Sequence, residues 1–322
     1  MVANVGTTTP ADHGCGAEPS GSDVIAPDGS PAGAPVVEED LVSGLRTLVT
    51  GLAYGESPRW HDGRLLLSDM GAGRVLAVDL DGNTEVIAEV PAMPMGSGWL
   101  PDGRMLIVSS RDGRLLRAEP GGSLVTHADL TGLSRYPWSD MVVDGRGNAY
   151  IGNIGFDFGR AEPAPGMLAL VTPDGTARQV AGDVMFPNGI AVTPDNATLI
   201  LAESYGNRLT AFDIAADGSL SGRRVWAALD GGYPDGICLD ADGAVWYAEV
   251  PGRRCVRVRE GGEVLQTVEA DRGCFACILG GADRRTLFIA AAEFSTAADM
   301  SAGPRTGQVL AMDVAVPGVG WP

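Results

Sequence analysis

The sequence predicts an all-β fold, a six-bladed β-propeller closed by an N-terminal strand. A strand-and-turn unit recurs along the chain, its copies are evenly spaced, and the last copy is incomplete. The unit is a turn carrying Gly or Asn followed by a short alternating apolar strand: HDGRLLLSD at 61–69, PDGRMLIVSS at 101–110, GRGNAYIGN at 145–153, PDNATLILAE at 194–203, ADGAVWYAE at 241–249 and ADRRTLFIAA at 282–291. Its turn positions 63, 103, 147, 196, 243 and 284 lie 40 to 49 residues apart. Repeats of that length built from short strands are the mark of a propeller.

Each copy continues in the same order. A second strand begins near residues 73, 113, 166, 207, 253 and 307, and most of these end in another Asp-Gly or Gly-Gly hairpin signal. A further strand follows in the first five copies: TEVIAEV, LVTHADL, ARQVAG, RRVWAAL and EVLQTVEA. The sixth copy has no room for it. LRTLVT at 45–50 precedes the first full copy and supplies the missing strand, which joins the chain ends and removes exposed sheet edges. Residues 1–38, rich in Gly, Ala, Pro, Ser, Thr and Asp, read as a disordered N-terminal tail, leaving 39–322 as the propeller.

Composition excludes several functions. The 322 residues hold 41 Asp and Glu against 23 basic residues, a net charge of −18, so nucleic acid and anionic membrane surfaces are not expected partners. All the basic residues are arginine. Without lysine there is no Schiff-base chemistry and no P-loop. Only His13, His61 and His127 are available for a zinc site or a nucleophile–histidine pair. The five cysteines have no framework spacing, no apolar run is long enough to span a bilayer, and the first basic residue is Arg46. A reducing, cytoplasmic setting and a monomer or small homo-oligomer are the expectation.

The innermost strand of each blade lines the channel. These strands begin at GESPRW (55–60), GSGWLP (96–101), SDMVVD (139–144), PNGIAV (187–192), PDGICL (234–239) and CFACIL (274–279). Their polar starts are Glu56, Ser97, Ser139 with Asp140, Asn188 and Asp235. Six strands converging on one axis bring these groups toward a shared point. Such a ring of hard oxygen donors suits a divalent cation, Ca2+ before Zn2+, Mn2+ or Mg2+. As isolated pairs, Asn188-Gly189 and Asp235-Gly236 are also ordinary turn dipeptides. What argues for the cation is that each lies a full loop upstream of its blade's own hairpin.

The motifs GESPRW, FPNGIAVTPD and YPDGICLDADG resemble the regucalcin/gluconolactonase family of six-bladed propellers over about residues 45–318. The resemblance implies that Glu56, Asn188 and Asp235 bind one divalent metal. It further implies a metal-dependent lactonase that opens a lactone or similar ester by water attack in the channel; diisopropyl fluorophosphatase is a related propeller. The family's third inner strand usually starts Asn-Asp, whereas this chain has Ser139-Asp140, and the arginine that grips sugar hydroxyls in some members is displaced here to Arg135. Trp138, Trp99 and Phe275, expected near the mouth, favour a bulkier, more apolar lactone, with Ser139, Asp140 and Arg135 completing the substrate contacts. Asp235 is a candidate base or a ligand that orients the water. The other function class is a calcium-stabilised propeller used for ligand binding or scaffolding without catalysis.

Other chemistry-bearing residues read more plainly. Cys274 and Cys277, three apart on a strand, should face opposite sides as buried structural thiols. Glu203 and Glu249 end equivalent strands in solvated or supporting positions, Asp157 and Arg160 belong to a loop that would cover the mouth, and His61 and His127 fall on the surface.

Overall fold

The computed structural model describes residues 44–294 and 303–320. The predicted N-terminal tail, with His13 and Cys15, lies outside the described residues. Six four-stranded antiparallel sheets form a ring, a six-bladed β-propeller. Blade 1 comprises Gly55–His61, Arg64–Asp69, Arg74–Val78 and Thr84–Glu89; blade 2 comprises Pro94–Trp99, Met105–Ser109, Arg114–Ala118 and Leu124–Asp129. Blade 3 comprises Trp138–Val143, Ala149–Asn153, Gly166–Val171 and Ala177–Val184. Blade 4 comprises Pro187–Val192, Thr198–Glu203, Arg208–Ile214 and Leu220–Ala228; blade 5 comprises Pro234–Leu239, Val245–Glu249, Arg254–Val258 and Val264–Glu269.

Blade 6 takes three strands from the C-terminal part, Gly273–Gly280, Thr286–Ala292 and Gly307–Asp313, and its outer strand is Arg46–Leu52 from the other end of the chain. Arg46 pairs with Ala311 and Leu52 with Gly307, so backbone hydrogen bonds close the ring.

The turn chemistry follows the sequence signal. Position 284 is an arginine and position 196 an asparagine, yet both adopt the left-handed backbone (φ 61° and 58°) that glycine supplies at 63, 103, 147 and 243. A preceding aspartate closes several of these loops. Asp144 Oδ1 accepts from the N–H groups of Arg146 and Asn148, and Asp240 Oδ1 does the same for Asp242 and Ala244.

Alternation then packs one blade face against the next. Trp246, Phe288, Leu287 and Val309 fill the space from blade 5 through blade 6, and Trp138, Ile151 and Leu106 fill it between blades 2 and 3. Among the described residues no helix is long and apolar enough to cross a membrane.

Candidate active site at one end of the channel

Each inner strand starts at the same end of the channel, and each is built to re-aim its second residue. Blades 2, 4 and 5 open theirs with proline (Pro94, Pro187, Pro234), tolerated at a strand's first position because it has no N–H to pair. The ladder then slips by one. In blade 4 the register runs from Pro187↔Glu203 to Ile190↔Leu201, and in blade 5 from Pro234↔Glu249 to Ile237↔Tyr247. The other four inner strands shift at the same height. One extra residue per inner strand is a β-bulge, which redirects the side chains beside it.

The bulge register identifies equivalent positions. Glu56, Ser139, Asn188 and Asp235 occupy the same place in blades 1, 3, 4 and 5. In blade 2 that place belongs to Met95, not to Ser97, which falls two residues deeper and is fully buried. In blade 6 it belongs to Cys274. The residue after each, within the bulge, lies against the neighbouring inner strand. A Cβ on Gly189 would come 2.5 Å from the Ile237 nitrogen, so Asn188-Gly189 owes its glycine to strand packing rather than to a turn.

Four polar side chains thus converge. Glu56 is 5% exposed and accepts the Ser57 N–H at Oε2, 3.0 Å. Burial pushes its carboxyl well above the ordinary value, and the nearby charges of Asp235 and Asp140 push further, against the Ser57 N–H and the Arg59 guanidinium. Asp235 is likewise raised, by burial first and by Asp140, with the Asn188 amide and the Gly236 N–H beside it opposing the shift. It is half-buried, and its Oδ1 is sealed off without a hydrogen-bond partner. The Asn188 amide nitrogen also donates to Ser204 Oγ at 3.3 Å.

Asp140 is different. Its Oδ1 accepts from Arg59 Nη2 at 3.1 Å, from the Met141 N–H at 2.8 Å and from Ser57 Oγ. Arg59 Nη2 also donates to the Met141 carbonyl at 2.6 Å. This clamp ties blade 1 to blade 3, so Asp140 is held by protein donors rather than turned to a substrate. Ser139 Oγ donates to the Pro187 carbonyl at 2.8 Å, and Ser204 Oγ to the Pro234 carbonyl at 2.7 Å, each stitching one blade to the next at the throat. Ser57, Arg59 and Ser204 escaped the sequence reading. The signal for the first two was the SPR of GESPRW, where a buried arginine beside a carboxylate ring needs a charged partner.

The residues expected to form the mouth are distributed otherwise. Trp138 is 1% exposed inside the core between blades 2 and 3. It opens its strand, where the pleat turns it into the blade interface. Trp99 ends its inner strand, at the opposite end of the channel, and stacks on His61 at 3.9 Å. Arg135 lies over the Tyr136 ring and lines a side cavity of about 460 Å3 with Leu133, Asn153 and Gln179. Phe275 is buried in a small cluster with Tyr54, Met70 and Ala292, packed edge-on against Tyr54 at 5.5 Å.

Three further expectations need correction. The blade 6 bulge between Cys274 and Ala276 cancels the alternation, so Cys274 and Cys277 share one core with Cys238 and Cys255 instead of facing opposite sides. All four are free; burial raises the Cys238 and Cys255 thiols, whereas hydrogen bonds from those two pull Cys277 down. His127 is half-buried against Arg117 Nη1 at 3.0 Å, and burial with that guanidinium holds its pKa below the usual histidine value.

Glu203 and Glu249 are buried and ion-paired rather than solvated: Glu203 meets Arg208 and Arg223, and Glu249 meets Arg254. Burial alone would raise Glu203. Hydrogen bonds from Arg208, Thr210 and the Met185 N–H outweigh it and hold the carboxyl below its ordinary value. A depressed folded-state value stabilises the protein above the unfolded-state pKa, and that stabilisation is lost as pH falls through the folded one. Glu203→Gln is therefore expected to cost about 2 kcal/mol at neutral pH, and the gap to the wild type is expected to close under acid. Denaturant melts at pH 7 and pH 3 check this; a gap of constant size would show that the carboxylate charge is not what stabilises.

Among the described residues no three His, Cys, Asp or Glu side chains cluster as a metal site by themselves. The convergent set is of mixed chemistry, two unneutralised carboxylates and an amide. Its mutual repulsion and the orphaned Asp235 Oδ1 are the signs of a missing positive charge, and hard oxygen donors of this kind fit a divalent cation.

Comparison with known proteins gives a consistent picture. Residues 54–293 match the family described as SMP-30/Gluconolactonase/LRE-like region. The chain is 30% identical over 279 residues to the 6-deoxy-6-sulfogluconolactonase of Pseudomonas putida, spanning 83% of this chain and 94% of that protein. It is 26% identical to the pentonolactonase XacC of Haloferax volcanii, over 85% and 95% of the two chains. Among solved structures, the calcium-binding protein regucalcin from Agrobacterium tumefaciens superposes with a TM-score of 0.74 at 24% identity, covering 87% of this chain and 96% of that one.

Proposed function

Since this chain belongs to the SMP-30/gluconolactonase/LRE-like family, we propose that it is a divalent-metal-dependent lactonase working at the bulged end of the channel. The observation that carries the proposal is the partnerless Asp235 Oδ1 beside the buried Glu56 carboxyl, on which burial and the neighbouring carboxylates outweigh the Ser57 N–H and Arg59. A protein gains nothing from burying such carboxylates together unless a cation joins them.

Glu56, Asn188 and Asp235 would hold the ion, with Ca2+ favoured for an all-oxygen donor set. When bound, it supplies Lewis-acid polarisation of the lactone carbonyl and stabilisation of the developing oxyanion. Asp235 takes the proton of the attacking water. Neither His61, stacked on Trp99 at the opposite end of the channel, nor His127, held against Arg117, is near enough to compete for the role. The water oxygen bonds to the carbonyl carbon, the ring C–O bond breaks, and the leaving alcohol oxygen receives the proton. The Asn188 amide lies beside Asp235 and is tied to Ser204, and the Ser139 and Ser204 stitches keep the strand starts fixed.

The test is acid release from a panel of lactones before and after chelation, with add-back of Ca2+, Mn2+, Zn2+ and Mg2+. Turnover is expected to vanish with the metal and return with at least one ion, accompanied by a rise in Tm. Full turnover in chelated protein would remove the metal from the scheme. A calcium-dependent rise in Tm with no lactone turned over would favour the binding or scaffolding propeller instead.

A further inference from the structure

Resting on the lactonase reading, we propose that the substrate is a lactone bearing an aryl or similarly flat apolar group, held by an aromatic rim above the carboxylate throat. The two ends of this propeller differ. Inner strands start, second strands end and third strands start at the end where Glu56 and Asp235 lie; the Asp-Gly hairpins cluster at the other end. Every aromatic side chain that is strongly exposed among the described residues belongs to a connection at the carboxylate end: Phe158, Tyr205, Tyr233 and Phe294. Among the described residues the exposed aromatics thus gather at one rim of the channel.

Over blades 3 and 4 the rings touch. Phe186 lies 4.7 Å from Tyr205 and 5.4 Å from Phe158, and buried Phe156 backs all three. Phe186 directly precedes Pro187-Asn188, so the cluster adjoins the throat. Its backbone is held at φ 56°, and that of Met93, before Pro94 in blade 2, at φ 71°, so this conformation belongs to the entry into the bulged inner strand. On the other side of the mouth Phe294 lies 6.5 Å from the buried Phe275, which packs against Tyr54. A flat apolar group seated against such faces buries area and gains offset or edge contacts.

For hydroxyls of a polyhydroxylated ring the rim offers few partners beyond the Tyr205 and Tyr233 hydroxyls. The arginine buried in the throat, Arg59, is already spent on Asp140 and two backbone carbonyls, and Arg135 faces its side cavity.

The experiment compares kcat/KM for dihydrocoumarin, a benzo-fused δ-lactone, with δ-valerolactone and glucono-δ-lactone, in wild type and in the Phe158→Ser/Tyr205→Ser double variant. The wild type is expected to prefer dihydrocoumarin to gluconolactone by at least about tenfold, as an apolar pocket contributing one extra ring would give. The double variant is expected to lose about tenfold of the dihydrocoumarin-to-valerolactone ratio, chiefly through KM. Gluconolactone turned over as well as dihydrocoumarin, or an unmoved ratio in a folded variant, would overturn the aryl rim while leaving the lactonase intact. If no lactone is turned over, the lactonase reading fails, and equilibrium dialysis decides the rim separately. Tighter binding of dihydrocoumarin than of valerolactone, lost in the double variant, would support it, and equal binding would refute it.

Discussion

Asp235→Asn and Glu56→Gln are each expected to lower kcat/KM for lactone hydrolysis by about 10³-fold or more, the scale on which groups acting mainly in the transition state are felt, while the protein stays folded. The same two changes are expected to raise Tm by a few degrees in chelator-treated protein. Glu56 is buried and Asp235 half-buried, both are pushed upward by burial and by neighbouring carboxylates, and Asp235 Oδ1 has no hydrogen-bond partner. Removing either charge relieves repulsion that the neighbouring donors only partly offset. Thermal melts with and without chelator, beside initial rates, check both halves. A variant that loses activity and also loses stability in the metal-free state would mean that these residues hold the blades together. A variant that keeps activity would mean that the chemistry is elsewhere.

How much of this was visible in the chain depends on what kind of information each feature needs. Blade number, strand order and ring closure follow from local signals. A left-handed turn wants Gly or Asn, an alternating apolar strand wants two buried faces, and a sixth blade short of a strand wants LRTLVT; each acts within a few residues. The site depends on the bulges, which leave no local mark except the Pro-Asn-Gly and Pro-Asp-Gly starts. In blade 2 the inner strand starts two residues before GSGWLP, at Pro94, which is why Ser97 looked like a rim donor and Met95 did not. Strict alternation without the blade 6 bulge put Cys274 and Cys277 on opposite faces.

Aromatic residues were harder still. Trp138 and Trp99 looked like a mouth because they flank inner strands, but one side of a strand start faces the core and a strand's end lies at the far end of the channel. The rings that do surround the mouth, Phe158, Phe186 and Tyr205, come from connections whose course no periodicity encodes.

The second large effect concerns a pair that the sequence did not reveal. Arg59→Met is expected to destabilise the protein by about 3–5 kcal/mol, the cost of leaving a buried charge without its partner. Side-chain exposure is 4% for Arg59 and 6% for Asp140, so water cannot replace the lost guanidinium. Arg59 also donates to the carbonyls of Pro58 and Met141, and both would be left short of a donor. Asp140 would keep only Ser57 Oγ and the Met141 N–H, and its unneutralised charge would bear more heavily on Glu56 and Asp235, which already feel it. The double variant Arg59→Met/Asp140→Asn removes that charge too and is expected to recover part of the loss, so the two changes should be non-additive. Denaturant unfolding of the wild type, the two single variants and the double variant measures the coupling directly. A cost for Arg59→Met below about 1 kcal/mol, typical of a solvated ion pair, or strictly additive variants, would show that blades 1 and 3 do not depend on this clamp.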